Sequence, residues 1–185
     1  MDLYSLVKFL HVVAAVVWVG GGFALALLAL KAERANDVEA MLQAMRATGE
    51  LGNRLFAPMS LLTLAFGLVL CWFWVGFSDL WVLIGLAGYL TTFAIGMTVF
   101  GPTAAKMAKL IAEEGVTPPA LALGQRMLRF ARIDYSVMLV IVADMVLKPT
   151  AHDVGTLVGM TAVLAAGIAL AMNAGARNLG AAPAV

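Results

Sequence analysis

Five long apolar runs decide what this chain can become. They cover residues 3–30, 55–77, 80–100, 130–147 and 154–172, each near the roughly 20 residues that a helix needs to cross a bilayer. Composition supports the same reading. A soluble domain carries about 45–50% apolar and about 25% charged residues, whereas this chain of 185 residues has 63% and 12%. No core of that size hides such an excess. The expectation is an all-α fold, a polytopic membrane helix bundle of five transmembrane helices. It forms one domain over residues 1–175, with a flexible tail over 176–185. A secreted disulfide scaffold, a disordered chain and an ordinary cytosolic enzyme are excluded. Twelve Lys and Arg against eleven Asp and Glu leave a net charge of +1 with no basic stripe, which argues against nucleic-acid binding. Cys71 is the lone cysteine, so no intrachain disulfide forms. The first run opens with Asp2 instead of a basic segment and is too long for a signal core, so it reads as a retained helix.

Lys and Arg in short loops set the orientation. Lys31, Arg34, Arg46 and Arg54 fall in the first long connection, and Lys106, Lys109, Arg126, Arg129 and Arg132 in the second. Arg177 follows the last run, and only Lys8 and Lys148 lie on the opposite side. The N-terminus is therefore expected outside and the C-terminus inside, in a bacterial inner membrane. Trp72, Trp74 and Trp81 flank the tight turn at 76–79 and fit an outer aromatic belt.

The cytoplasmic connections read as partly helical. Val38, Met41, Leu42 and Met45 follow i, i+3, i+4, i+7 behind Asn36 as N-cap, the pattern of a helix lying on the bilayer or of a docking face. Beyond Gly101-Pro102 the third helix is expected to resume as a kinked extension through Glu114. The fourth helix is expected to begin near Gln125, after a stiff Thr117-Pro118-Pro119 connector. Gly20, Gly21 and Gly22 and the Gly155-x-x-x-Gly159 pair are expected at close helix contacts, including a homodimer through small-residue faces. No phosphate-binding loop, dinucleotide fingerprint, zinc-protease helix or nucleophile elbow occurs.

Polar side chains within the runs carry what functional signal there is. Tyr4, Lys8, His11, Ala15, Trp18 and Gly22 recur every three or four residues and share one arc of the first helix. His11 either bonds a neighbouring helix or ligates a metal or haem, with Lys8 meeting a propionate and Trp18 a porphyrin face. Asp144 and Lys148 are four apart with the acid first, the favourable order for an ion pair. Asp134, close to Arg129 and Arg132, reads as part of a snorkelling ion pair. His152 and Asp153 read as solvated. Eleven methionines raise copper handling, yet methionine in apolar helices is usually filler.

The stretch from Lys8 to Gly21, KFLHVVAAVVWVGG, resembles the first helix of an uncharacterised bacterial family of integral membrane proteins, domain of unknown function 2269. Asp144-Met-Val-Leu-Lys148-Pro149 is similar to the same family. The Lys-x-x-His followed by Trp and Gly also resembles the haem-binding membrane protoporphyrinogen oxidase and the copper-resistance D membrane domain. That resemblance implies b-type haem held by His11, with Lys8 and Trp18 beside it, in a redox context. The alternatives are a non-enzymatic structural or accessory membrane protein, and a copper or small-solute permease.

Overall fold

The computed structural model describes the backbone of residues 2–179 and the side chains of residues 2–173. Among the described residues there is no strand. Five long helices follow one another: α1 (Leu3–Arg34), α2 (Val38–Val75), α3 (Leu80–Glu114), α4 (Pro118–Leu147) and α5 (Val154–Leu179). Four of them, α1, α2, α3 and α5, are long and apolar enough to cross a membrane. The fourth run carries Arg132, Asp134 and Asp144 and is the exception. Residues 176–179 continue α5 instead of opening a tail, and residues 180–185 lie outside the described residues.

Local chemistry explains where each helix stops. Asp2 caps α1 by accepting from the Ser5 N–H at 2.7 Å, and Asp37 caps α2 through the Ala40 N–H at 3.0 Å. Asn36, the expected cap, instead adopts φ +56° and ends the preceding helix, a left-handed position that Asn tolerates. Gly76 (φ +94°) and Gly115 (φ +77°) terminate α2 and α3, where a Cβ would be strained. The 115–117 link is short, and α4 starts at Pro118, two turns earlier than expected, since proline suits the first helical position. In the last connection the Thr150 N–H and hydroxyl each donate to Asp153 at 2.7 Å. Those bonds hold the Asp153 carboxyl below the usual carboxylate range.

Three helices are not regular throughout. A π-helical turn interrupts α1 at Val16–Gly20 and α3 at Gly96–Phe100, while α2 has two, at Gly52–Phe56 and Cys71–Val75. The chain therefore passes through the glycine triplet and Gly101-Pro102 without breaking.

The helix α4 is central and packs against each of the other four. Small residues let it approach: Gly85 and Gly88 of α3 face Asp144 with Met145, and Ile141, while Gly167 of α5 faces Ser136. One buried cluster joins Ala29 and Ala32 of α1, Met41 and Met45 of α2, Met107 of α3 and Leu128 of α4. This corrects the expected bilayer-surface helix at 36–49. That stretch is the start of α2, and Met41, Leu42 and Met45 of its apolar stripe are covered by protein, while Val38 stays exposed. At the other end Tyr4 meets Trp74 edge-on at 5.5 Å and Lys148 Nζ lies 5.0 Å from the Trp81 ring. Trp72 and Phe73 stand exposed beside them, completing an aromatic belt.

Candidate functional site

The residues singled out on α1 separate in the fold. A π-helical turn takes an extra residue, and the buried face of α1 runs through Val7, Ala14, Trp18 and Gly22. Lys8 is exposed, with its ammonium 5.7 Å from the Tyr4 ring. His11 is half-buried against α2, where Nδ1 lies 2.8 Å from the Thr63 carbonyl oxygen. A carbonyl only accepts, so Nδ1 carries the proton in this bond. Gly67 makes room for the ring: a Cβ there would sit 3.1 Å from His11 Cε1. Trp18 is two turns further along, packed edge-on against Tyr89 at 5.6 Å and against Met138. Lys8, His11 and Trp18 thus occupy three different surroundings. Among the described residues no three His, Cys, Asp or Glu side chains converge as metal ligands.

Two expected ion pairs also need correction. Asp144 and Lys148 do not pair. Lys148 takes the left-handed conformation that ends α4 (φ +47°), so its side chain leaves the helical i, i+4 direction and turns over Trp81. Asp144 is fully buried, and both of its carboxylate oxygens lack a hydrogen-bond partner. Nor does Asp134 pair with Arg132, which binds Glu33 of α1. Arg129 is exposed. Residues two apart on a helix do not face each other, a signal already present in the sequence. Asp134 is 3% exposed and its Oδ1 has no partner.

Asp134 is instead one of the residues that line a cavity of about 630 Å³ between α2 and α3. Its floor is Trp18 and Gly22 of α1 with Asp134, Tyr135 and Met138 of α4. Phe56 on one wall and Phe93, Met97 and Phe100 on the other are apolar. The lining extends to Arg46, Glu50 and Ala108, which are exposed at the end of the bundle that carries the 35–37 and 115–117 links. Three of the π-helical turns border it, contributing Trp18, then Gly52, Asn53 and Phe56, then Gly96, Met97 and Phe100. Such turns widen a helix by one residue and recur at functional sites. Thr48, Ser60 and Thr92 also line the space. Each donates its hydroxyl to a carbonyl of its own helix, at 2.9, 2.9 and 3.0 Å. The oxygen lone pairs are what these hydroxyls offer to an occupant.

The sequence model of a family described as predicted integral membrane protein (DUF2269) matches residues 5–149. The chain belongs to this family. The DUF2269 match runs from the first turn of α1 through α4 and contains every residue that lines the cavity, while α5 lies beyond it. Comparison with curated proteins and with solved structures gives no match. The family description establishes an integral membrane protein, and with four apolar helices the chain is multi-pass.

Proposed function

We propose that this DUF2269 protein binds a small, largely apolar molecule in the cavity between α2 and α3. It does so as a five-span protein of the bacterial inner membrane, N-terminus outside and C-terminus inside. The carrying observation is the cavity itself: about 630 Å³, apolar-walled, and bordered by three π-helical turns. Small-molecule sites are clefts of about 300–1,000 Å³ with mostly apolar walls and few polar groups. The length of α4 supports a fifth span, since its 30 residues make about 45 Å at 1.5 Å per residue. Its acidic groups are covered by neighbouring helices, so low hydropathy does not bar it from the bilayer. A small-solute permease would use the same space. A homodimer would use Gly155 and Gly159, whose missing side chains face open space.

The test is binding of N-phenyl-1-naphthylamine to the protein in lipid nanodiscs, measured above empty discs. Saturable, stoichiometric binding is expected. Gly96→Trp, at a lining position with nothing within 4 Å of a Cβ, should weaken it about tenfold or more. Leu90→Trp, on the exposed surface, should not. Equal effects of the two variants would remove the cavity as the site.

Haem b at His11 is the second reading, favoured by one observation. The Nδ1–H bond to the Thr63 carbonyl leaves Nε2 as the lone-pair nitrogen, the arrangement of ligating histidines whose other ring N–H donates to a carbonyl. A Soret band in protein from haem-replete cells, lost in His11→Ala, supports it. Absence of the band, or its retention in the variant, rejects it.

A further inference from the structure

We propose that the occupant of this cavity is an organic cation, an ammonium or similar charge on an apolar body, with Asp134 as its counter-ion. The inference rests on the cavity reading and adds the chemical class of ligand.

A carboxyl group within a membrane bundle is costly and ordinarily finds a partner or marks a ligand or ion path. Asp134 is nine-tenths buried and more, its Oδ1 is unpartnered, and it lines the cavity floor. The cations of the chain do not serve it. Arg132 is committed to Glu33, Arg129 is exposed, and Arg46 belongs to the exposed end of the lining, where Glu50 also stands. A ligand that brings its own positive charge resolves this.

The rest of the lining agrees. Ser60, Thr92 and Thr48 turn their hydroxyl protons back onto their own helices and present oxygen lone pairs. Those accept from an ammonium and repel an anion. Trp18, Phe56 and Phe93 supply aromatic rings in the same space, and aromatic faces attract cations most strongly where water is excluded. The apolar walls leave the remainder of the ligand to be hydrophobic. An anionic amphiphile would meet these hydroxyl lone pairs and a buried carboxylate, and so is disfavoured on both counts.

The experiment compares three probes of related shape on the nanodisc-embedded full chain: tetraphenylphosphonium, tetraphenylborate and triphenylphosphine oxide. Wild type is expected to bind the phosphonium about tenfold or more tighter than the borate, after subtraction of empty discs. Asp134→Asn, nearly isosteric, should erase that preference and leave the neutral oxide unaffected. Asp134→Glu should restore much of it. Equal affinity of wild type for phosphonium and borate overturns the proposal, as does an Asp134→Asn variant that keeps the preference. If the Asn variant does not fold, the wild-type comparison of the two ions still decides. Gly96→Trp separates this from the cavity reading. Oxide binding that survives Gly96→Trp rejects the cavity, whereas oxide binding lost there without a charge preference in wild type rejects only the cation.

Discussion

At Gly167 a Cβ would lie 1.8 Å from Ser136 Oγ and 2.4 Å from Ser136 Cβ, with the Arg132 carbonyl oxygen behind at 3.4 Å. The Ser136 Cβ is fixed to its backbone and cannot yield as a side-chain tip does, so Gly167→Ala must part α4 from α5. At Gly22 the obstacle is the Tyr135 hydroxyl at 2.6 Å, on a rigid ring set edge-on against Phe23 at 5.8 Å. At Gly85 it is the Met145 methyl at 2.1 Å, the flexible end of an adaptable side chain. Unfolding in mild detergent should therefore rank Gly167→Ala and Gly22→Ala as destabilising by about 1–3 kcal/mol, with Gly85→Ala well below them. A Gly85→Ala cost equal to that of Gly167→Ala would contradict this account of the packing. The sequence already marked Gly22 and Trp18 as interior, because helical spacing fixes a face. It misplaced Lys8, since a π-helical turn shifts the phase of α1, and it assigned Asp134 to arginines on another side of the helix. His11 was legible as a residue bonded across helices. Its partner, the Thr63 carbonyl, was not, because a backbone group leaves no trace in residue identity.

Among the elements, α2 separates what pattern reveals from what it conceals. The stripe of Met41, Leu42 and Met45 identifies a helix with one apolar face, but lipid and protein satisfy that face equally well. Only the fold shows Met107, Met127 and Leu128 covering it. The cap is a sharper test of how this helix begins. Asp37→Ala removes the carboxylate that accepts from the Ala40 N–H and should cost about 0.5–2 kcal/mol. Asn36→Gly, at φ +56°, should be neutral or mildly stabilising, because glycine enters that region freely. Chemical denaturation of the two variants in one detergent measures the contrast, and a neutral Asp37→Ala would disprove the assigned cap. The π-helical turns were invisible beforehand. They arise where packing admits one extra residue in a turn, and no residue type demands them.

For the whole molecule, the number and order of the long helices followed from apolar runs and turn residues, while the cavity came only with the tertiary arrangement. Ten of the twelve basic residues lie on the side expected to be cytoplasmic. Reporter fusions after Phe77 and after Lys148 should therefore read as extracytoplasmic, and fusions near Arg46 and Lys109 as cytoplasmic. The same compartment on both sides of α4 would eliminate the fifth span. The central position of α4 has a further consequence, for how the protein is made. On insertion scales an Asp or Arg at mid-helix costs about 2.5–3.5 kcal/mol, against about 0.3–0.6 gained per Leu, Ile, Phe or Val. The 130–147 stretch, with Arg132, Asp134 and Asp144, is therefore a poor substrate for stepwise release from the translocon. Three of its four partners, α1 to α3, leave the ribosome first. A nascent chain that has already docked them offers Glu33 to Arg132 and covers both acids before lipid meets them. With α4 as the fifth span proposed above, biogenesis of the bundle is expected to follow chain direction, the early helices covering the polar one that later holds them together.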